Sequence, residues 1–161
     1  MTEIMGSLLK FITDEFTVIL TAMLPVIEVR GAIPVGIALG MSSFHATLLA
    51  FLGSIIPVPF ILWTIRPIFT YLRRTKLFRR LVNTLTDKSM RKSGKVKKYG
   101  YIGLFFFVAI PLPGTGVWSG SLIAALLNMR IKFAFPTIVL GNLVASIAIM
   151  LLSFGVVNIF T

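Results

Sequence analysis

The sequence contains no cysteine, one histidine, and only five acidic residues among its 161. Missing thiols exclude disulfides, thiolate nucleophiles and thiolate metal sites. A lone imidazole, His45, excludes a histidine-pair metal centre. Charge of either sign is scarce: 13% of residues carry it, against roughly a quarter in soluble domains. With 57% hydrophobic residues and a mean hydropathy of +0.95, the composition excludes an ordinary water-soluble domain and implies an integral membrane protein. Length predicts a single membrane domain over 1–161 with no room for a soluble catalytic module, so no enzyme and no cofactor are expected.

The charge that is present is concentrated. Of sixteen basic residues, twelve lie between Arg66 and Lys98 with Asp87 as the sole acid there, which alone accounts for the net charge of +11. By the positive-inside rule this segment is expected on the cytoplasmic side of the cell membrane. A single basic loop reports orientation, so no nucleic acid partner is expected; membrane lipids are the expected partners. Ile65, Phe69, Leu72, Leu77, Leu81 and Leu85 recur at helical spacing with Arg73, Arg74, Arg79 and Arg80 between them. That pattern predicts a basic amphipathic segment, lying either at the lipid surface through those arginines or against the protein's own cytoplasmic face. Beyond Asp87, the run Lys88 to Lys98 with Ser89, Ser93 and Gly94 reads as mobile. Glu3, Lys10, Asp14 and Glu15 precede the first apolar run, a pattern unlike a cleaved signal peptide, so this segment is expected to be retained.

Three stretches hold no Asp, Glu, Lys or Arg: Gly31 to Ile65, Tyr99 to Met129, and Phe133 to Thr161. Phe44 to Ile65 and the last stretch are long enough to span, since about 20 apolar residues cross a bilayer. The middle stretch is cut by Pro111, Pro113, Gly114 and Gly116. Tyr101 to Ile110 makes roughly 15 Å of helix, half a bilayer. Tyr101 to Met129 therefore reads as a re-entrant hairpin with its tip near Pro113 to Gly116.

The halves resemble one another. Pro25 matches Pro111; after a two-residue shift Met41 matches Met129 and Gly53-Ser54 matches Gly141-Asn142. The expected fold is all-α: an inverted repeat of re-entrant hairpin plus transmembrane helix, residues 7–65 and 99–161, joined by the basic cytoplasmic loop 66–98. In that arrangement Arg130 and Lys132 stay inside and the acidic N-terminus lies outside. The pattern leaves open whether residues 7–24 are half of the hairpin or a full span.

Two sites carry candidate chemistry. Glu28 and Arg30 sit in an apolar context at hairpin depth, where a charged side chain costs about 3 kcal/mol unless paired or facing a cavity. Gly31 and Pro34 predict an unwound Glu28 to Ile33 segment, on which alternate side chains share a face and the pair can meet. That pair reads as a proton-titrating carboxylate beside an anion-binding guanidinium, or as an ion pair stitching the hairpin. The second tip, Pro111 to Gly120, places free amides ahead of a helix, with Thr115 and Ser119 adding hydroxyls for an anion. His45 reads as interfacial, and Asn128 and Asn142 as helix-packing residues. No metal ligands are expected.

Leu24 to Gly40, with Glu28-Val29-Arg30-Gly31-Ala32-Ile33-Pro34, together with Ala109 to Gly120, resembles the family of small multidrug export proteins, which is similar to the wider DedA or VTT-domain superfamily. The resemblance implies re-entrant hairpins, proton-linked phenotypes and lipid or polyprenyl-phosphate translocation, and a first-hairpin glutamate that Glu28 matches. DedA proteins also place arginines around the second proline motif, where this sequence is uncharged. The expected activity is transport of an anionic lipid or small amphiphile, with drug export and a lipid-binding scaffold as alternatives. Two spans and two hairpins bury little surface, which points to a homodimer.

Overall fold

The computed structural model describes residues 2–74 and 94–160, and all regular structure among them is helical. In chain order the helices are α1 (Thr2–Met23), α2 (Glu28–Ala38), α3 (Ser43–Ile55), α4 (Pro57–Arg74), α5 (Gly94–Ala109), α6 (Val117–Leu126) and α7 (Ile131–Phe160). Among the described residues two stretches are long and apolar enough to cross a membrane, Ser43–Ile65 and Ile131–Gly155. They are consistent with an all-α membrane protein. Arg73 and Arg74 close α4, whereas Arg79 and Arg80 lie outside the described residues.

The chain divides into two compact units, one formed by Met1–Ile56 with Leu143–Thr161 and the other by Pro57–Asn142. In the first unit α1, α2 and α3 pack against each other around Val18, Ala22, Val29, Ala32, Ile33 and Ala50, with Ile149 of α7. Along α1, Thr13, Thr17 and Thr21 turn their hydroxyls onto the carbonyls of Leu9, Thr13 and Thr17 at 2.8, 2.8 and 2.6 Å. That disposes of three donors inside the helix. α2 ends on Gly40 (φ 90°), whose N–H reaches the Ile37 carbonyl while the Met41 N–H reaches Gly36, both orphan carbonyls of a helix end. Ser42 then caps α3 by accepting from the His45 N–H at 3.3 Å.

The second unit packs α4, α5, α6 and the start of α7 around Val58, Leu62, Leu104, Val108, Val117, Ile123, Ala134 and Ile138. Its α6 closes as α2 does: Asn128 (φ 53°) donates to Ala125 and Met129 to Ala124. Asn128 is thus an exposed helix cap and not the interhelical bridge its sequence context implied, because amide side chains tolerate left-handed backbone. Asn142, in contrast, is buried.

Close approach within each unit rests on a glycine. A Cβ on Gly53 would stand 2.7 Å from the Ile19 carbonyl oxygen and 3.1 Å from the Ala22 Cβ; one on Gly141 would stand 2.9 Å from the Phe105 oxygen and from the Val108 Cβ.

Two expectations change, and residues 7–23, whose form the pattern left open, fall within one unbroken helix, α1, of 22 residues, about 33 Å at 1.5 Å per residue. Glu28 to Ile33 is helical, not unwound, and Pro34 sits inside α2. The tail of the basic run, from Gly94, is helical; α5 bends at Gly100 (φ 59°, ψ −129°), separating the lysines from the apolar arm that follows.

Candidate functional site

The first hairpin turns through Leu24 to Ile27, with Glu28 N–H closing on the Leu24 carbonyl at 3.1 Å. The turning residues are bare and apolar: Val26 is 89% exposed. Glu28 itself adopts φ 48°, a left-handed conformation that side-chain-bearing residues rarely hold. Such strain, of order 1 to 3 kcal/mol, persists where the surroundings impose it.

The positive φ explains how Glu28 meets Arg30. On regular helix, residues two apart point to different sides, which is why unwinding seemed necessary from sequence. Instead, one left-handed residue at the head of α2 redirects its own side chain, and the rest of the helix stays intact. Glu28 Oε2 lies 3.6 Å from Arg30 Nη1, with Glu28 3% and Arg30 21% exposed. Pro34 has no N–H to offer the Arg30 carbonyl four residues earlier, so α2 is weakened where the pair sits. At 3.6 Å the contact is an ion pair and not a short hydrogen bond. The pair sets a carboxylate and a guanidinium side by side at the first turn, where each offsets the cost of burying the other.

The second tip differs. Ile110 to Gly116 is irregular, and the Thr115 hydroxyl lies 2.8 Å from the Ile110 oxygen and 2.9 Å from the Leu112 oxygen, while its Oγ1 accepts from Leu112 N–H at 3.3 Å. Thr115 thus latches the turn. Ser119 is half-buried in the first turn of α6, and two residues on Ser121 buries its Oγ fully without a hydrogen bond. Gly114 and Gly116 take positive φ (80° and 130°), the latter preceding α6. Pro25 lies in the first turn and Gly31 inside α2, while Pro111 and Pro113 lie within the second turn.

One contact was not legible in sequence. His45 Nε2 lies 2.8 Å from Glu15 Oε1, joining α3 to α1 across thirty residues, with Phe11 edge-on to the imidazole. No local pattern marks that pair, because its partners meet only when the hairpin packs on α3. Ser121 was missed as well, being one small polar residue in an apolar run. Among the described residues no cluster of three His, Asp or Glu is placed to hold a metal.

Fold and site together define an all-helical membrane protein with a buried carboxylate–guanidinium pair at the turn of an apolar hairpin. Residues 28–148, most of the chain, match the sequence model of the family described as "Putative small multi-drug export protein". The chain belongs to that family, whose description fits a transporter or exporter in general and names no enzyme class. Neither a curated protein nor a solved structure matches the chain.

Proposed function

We propose that this protein is a proton-coupled exporter of small amphiphiles, including anionic lipids, working from the cytoplasmic membrane with its basic loop inside. Residues 7–65 and residues 99–161 are each read as a re-entrant hairpin followed by a span, an inverted repeat. Matching internal contacts support the repeat: Gly40 and Asn128 end the second arms alike, and Gly53 and Gly141 approach the first arms alike. Bare apolar tips, with Val26, Leu24, Ile110 and Leu112 exposed, support burial of both turns in hydrocarbon, where a water-facing turn would be polar.

One observation carries the mechanism: Glu28, almost fully buried and held at strained backbone, is paired with Arg30 at 3.6 Å. With the carboxylate charged, Arg30 is occupied by it. Protonation of Glu28 removes that partner, and the guanidinium then takes an anionic headgroup; loss of the proton expels the headgroup. A single exchange of this kind ties substrate release to proton movement without a metal ligand or nucleophile.

The test is transbilayer movement of a fluorescent polyprenyl phosphate and of a cationic dye in proteoliposomes, with and without a pH gradient. Wild type is expected to move at least one probe, with gradient dependence. Glu28→Gln is expected to abolish the gradient dependence. Equal movement by wild type and Glu28→Gln under both conditions would sink the proton-coupled reading. Movement of the dye alone would assign drug export and remove the lipid.

A further inference from the structure

The outer face of α5 in the second unit is concave. Tyr99, Ile102, Phe106 and Ile110 fall on one exposed stripe, and with Leu112 and Thr115 of the turn they line a cleft of about 570 Å³. That size lies within the ~300–1,000 Å³ of small-molecule sites. Gly103, also in the lining, has no side chain to occupy the cleft. The lining is apolar apart from two hydroxyl-bearing residues, Tyr99 and Thr115, and the Thr115 hydroxyl is turned onto the Ile110 and Leu112 carbonyls.

The cleft has unlike ends. One is closed by the turn at Leu112 and Thr115. Outside the lining but near its Tyr99 end in the chain, Tyr101 accepts from the Arg130 N–H at 3.2 Å and its ring lies 5.7 Å from that of Phe133. Those contacts bring the α6–α7 junction, with exposed Arg130 and Lys132, beside the first apolar turn of α5. Lys95, Lys97 and Lys98 immediately precede Tyr99 in the chain, and the described residues of this unit contain no Asp or Glu. Beyond the bend at Gly100 the regular helix from Tyr101 to Ala109 rises about 12 Å, within the ~15 Å depth of one leaflet of a ~30 Å hydrocarbon core.

From this we propose that the α5 cleft is a lodging site for an anionic phospholipid, one acyl chain lying along Tyr99 to Ile110 and the phosphate held at the Arg130–Lys132 end. The proposal goes beyond the transport reading: it concerns another unit and a resident lipid, and its read-out is binding, so it stands or falls whichever way the flux experiment comes out.

The test uses the full-length protein in phosphatidylcholine nanodiscs carrying a trace of phosphatidylglycerol with a diazirine at the end of one acyl chain, or of phosphatidylcholine with the same label. After photolysis, adducts are mapped by peptide mass spectrometry. Phosphatidylglycerol adducts are expected to concentrate on Tyr99 to Thr115, several-fold above the equally bare stretch Leu140 to Leu152, with no such enrichment for phosphatidylcholine. Joint Arg130→Gln and Lys132→Gln substitution keeps the backbone N–H that Tyr101 accepts and is expected to lower the enrichment roughly thirtyfold, the scale of two charges near a lipid surface. Ile102→Trp, which fills the cleft from an exposed position, is expected to remove it. Equal labelling by both lipids, adducts spread evenly over all exposed apolar helix, or enrichment indifferent to the Arg130/Lys132 change would each overturn the proposal.

Discussion

In the first unit α2 begins on Glu28 at φ 48°, and in the second α6 begins just after Gly116 at φ 130°. Both hairpins turn on a left-handed residue ahead of the second arm, but only the first places a carboxylate there, with Arg30 beside it. Where α3 crosses α1, Glu15 and His45 meet at 2.8 Å. In the second unit the first arm and the following span meet through Tyr101 and Phe133, ring against ring. The backbone scheme thus recurs while the polar content does not. Packing alone is satisfied by glycine and aromatic rings, so the charges of the first unit are not demanded by the turn or the crossing.

If that asymmetry is functional, the pair at the first tip should behave unlike a structural stitch. Arg30→Ala strips a buried carboxylate of its cation and is expected to cost about 3 to 5 kcal/mol, read as a loss of thermal stability in detergent. Glu28→Gln with Arg30→Gln removes both charges and is expected to restore most of that stability while transport stays lost. Recovery of transport in the double variant would reduce the pair to a stitch and make the two units equivalent.

The next largest effect should be shared by the units. Gly53→Ala and Gly141→Ala each drive a methyl into backbone, the Ile19 and Phe105 carbonyls respectively, which flexible side chains cannot relieve. Each is expected to destabilise by about 1 to 3 kcal/mol. A large effect in one unit and none in the other would break the likeness that the contacts draw.

How much of this was readable in advance follows from range. The spans, the short arms and the turns at Pro25 and Pro111 were legible, because apolar length and proline act within a few residues. Gly53 and Gly141 were found as matching positions, though not why they are glycine, since the carbonyls they face lie more than thirty residues away. The unwinding expected at Glu28 to Ile33 was mistaken for a similar reason. Pro34 and Gly31 signal backbone disturbance, but the disturbance is taken up by one residue, Glu28, and α2 closes around it. The Glu15–His45 contact needed the packed hairpin before it existed at all.

A smaller effect separates the two turns. Thr115 fastens the second through contacts to Ile110 and Leu112, whereas the first is closed by the backbone bond from Glu28 to Leu24. Thr115→Val, which keeps shape and deletes the hydroxyl, is expected to cost roughly 1 kcal/mol. Faster hydrogen exchange confined to residues 110–116 would show the latch. Reduced transport at unchanged exchange would instead return Thr115 to the substrate.

The smallest change should come from exchanging the crossing itself. Glu15 and His45 are 26% and 41% exposed, and ion pairs this open contribute about 0 to 1 kcal/mol. Replacing them by their counterparts, Glu15→Tyr with His45→Phe, puts in place a ring pair that the second unit already accommodates between equivalent elements. Thermal stability is therefore expected to hold within about 1 kcal/mol, since aromatic contact of ~0.5–1.5 kcal/mol offsets the lost pair. Transport measured beside it decides what the polar crossing is for. An unchanged rate and pH profile would confine the functional asymmetry to Glu28 and Arg30. A flattened pH profile in a stable variant would extend it to the Glu15–His45 crossing.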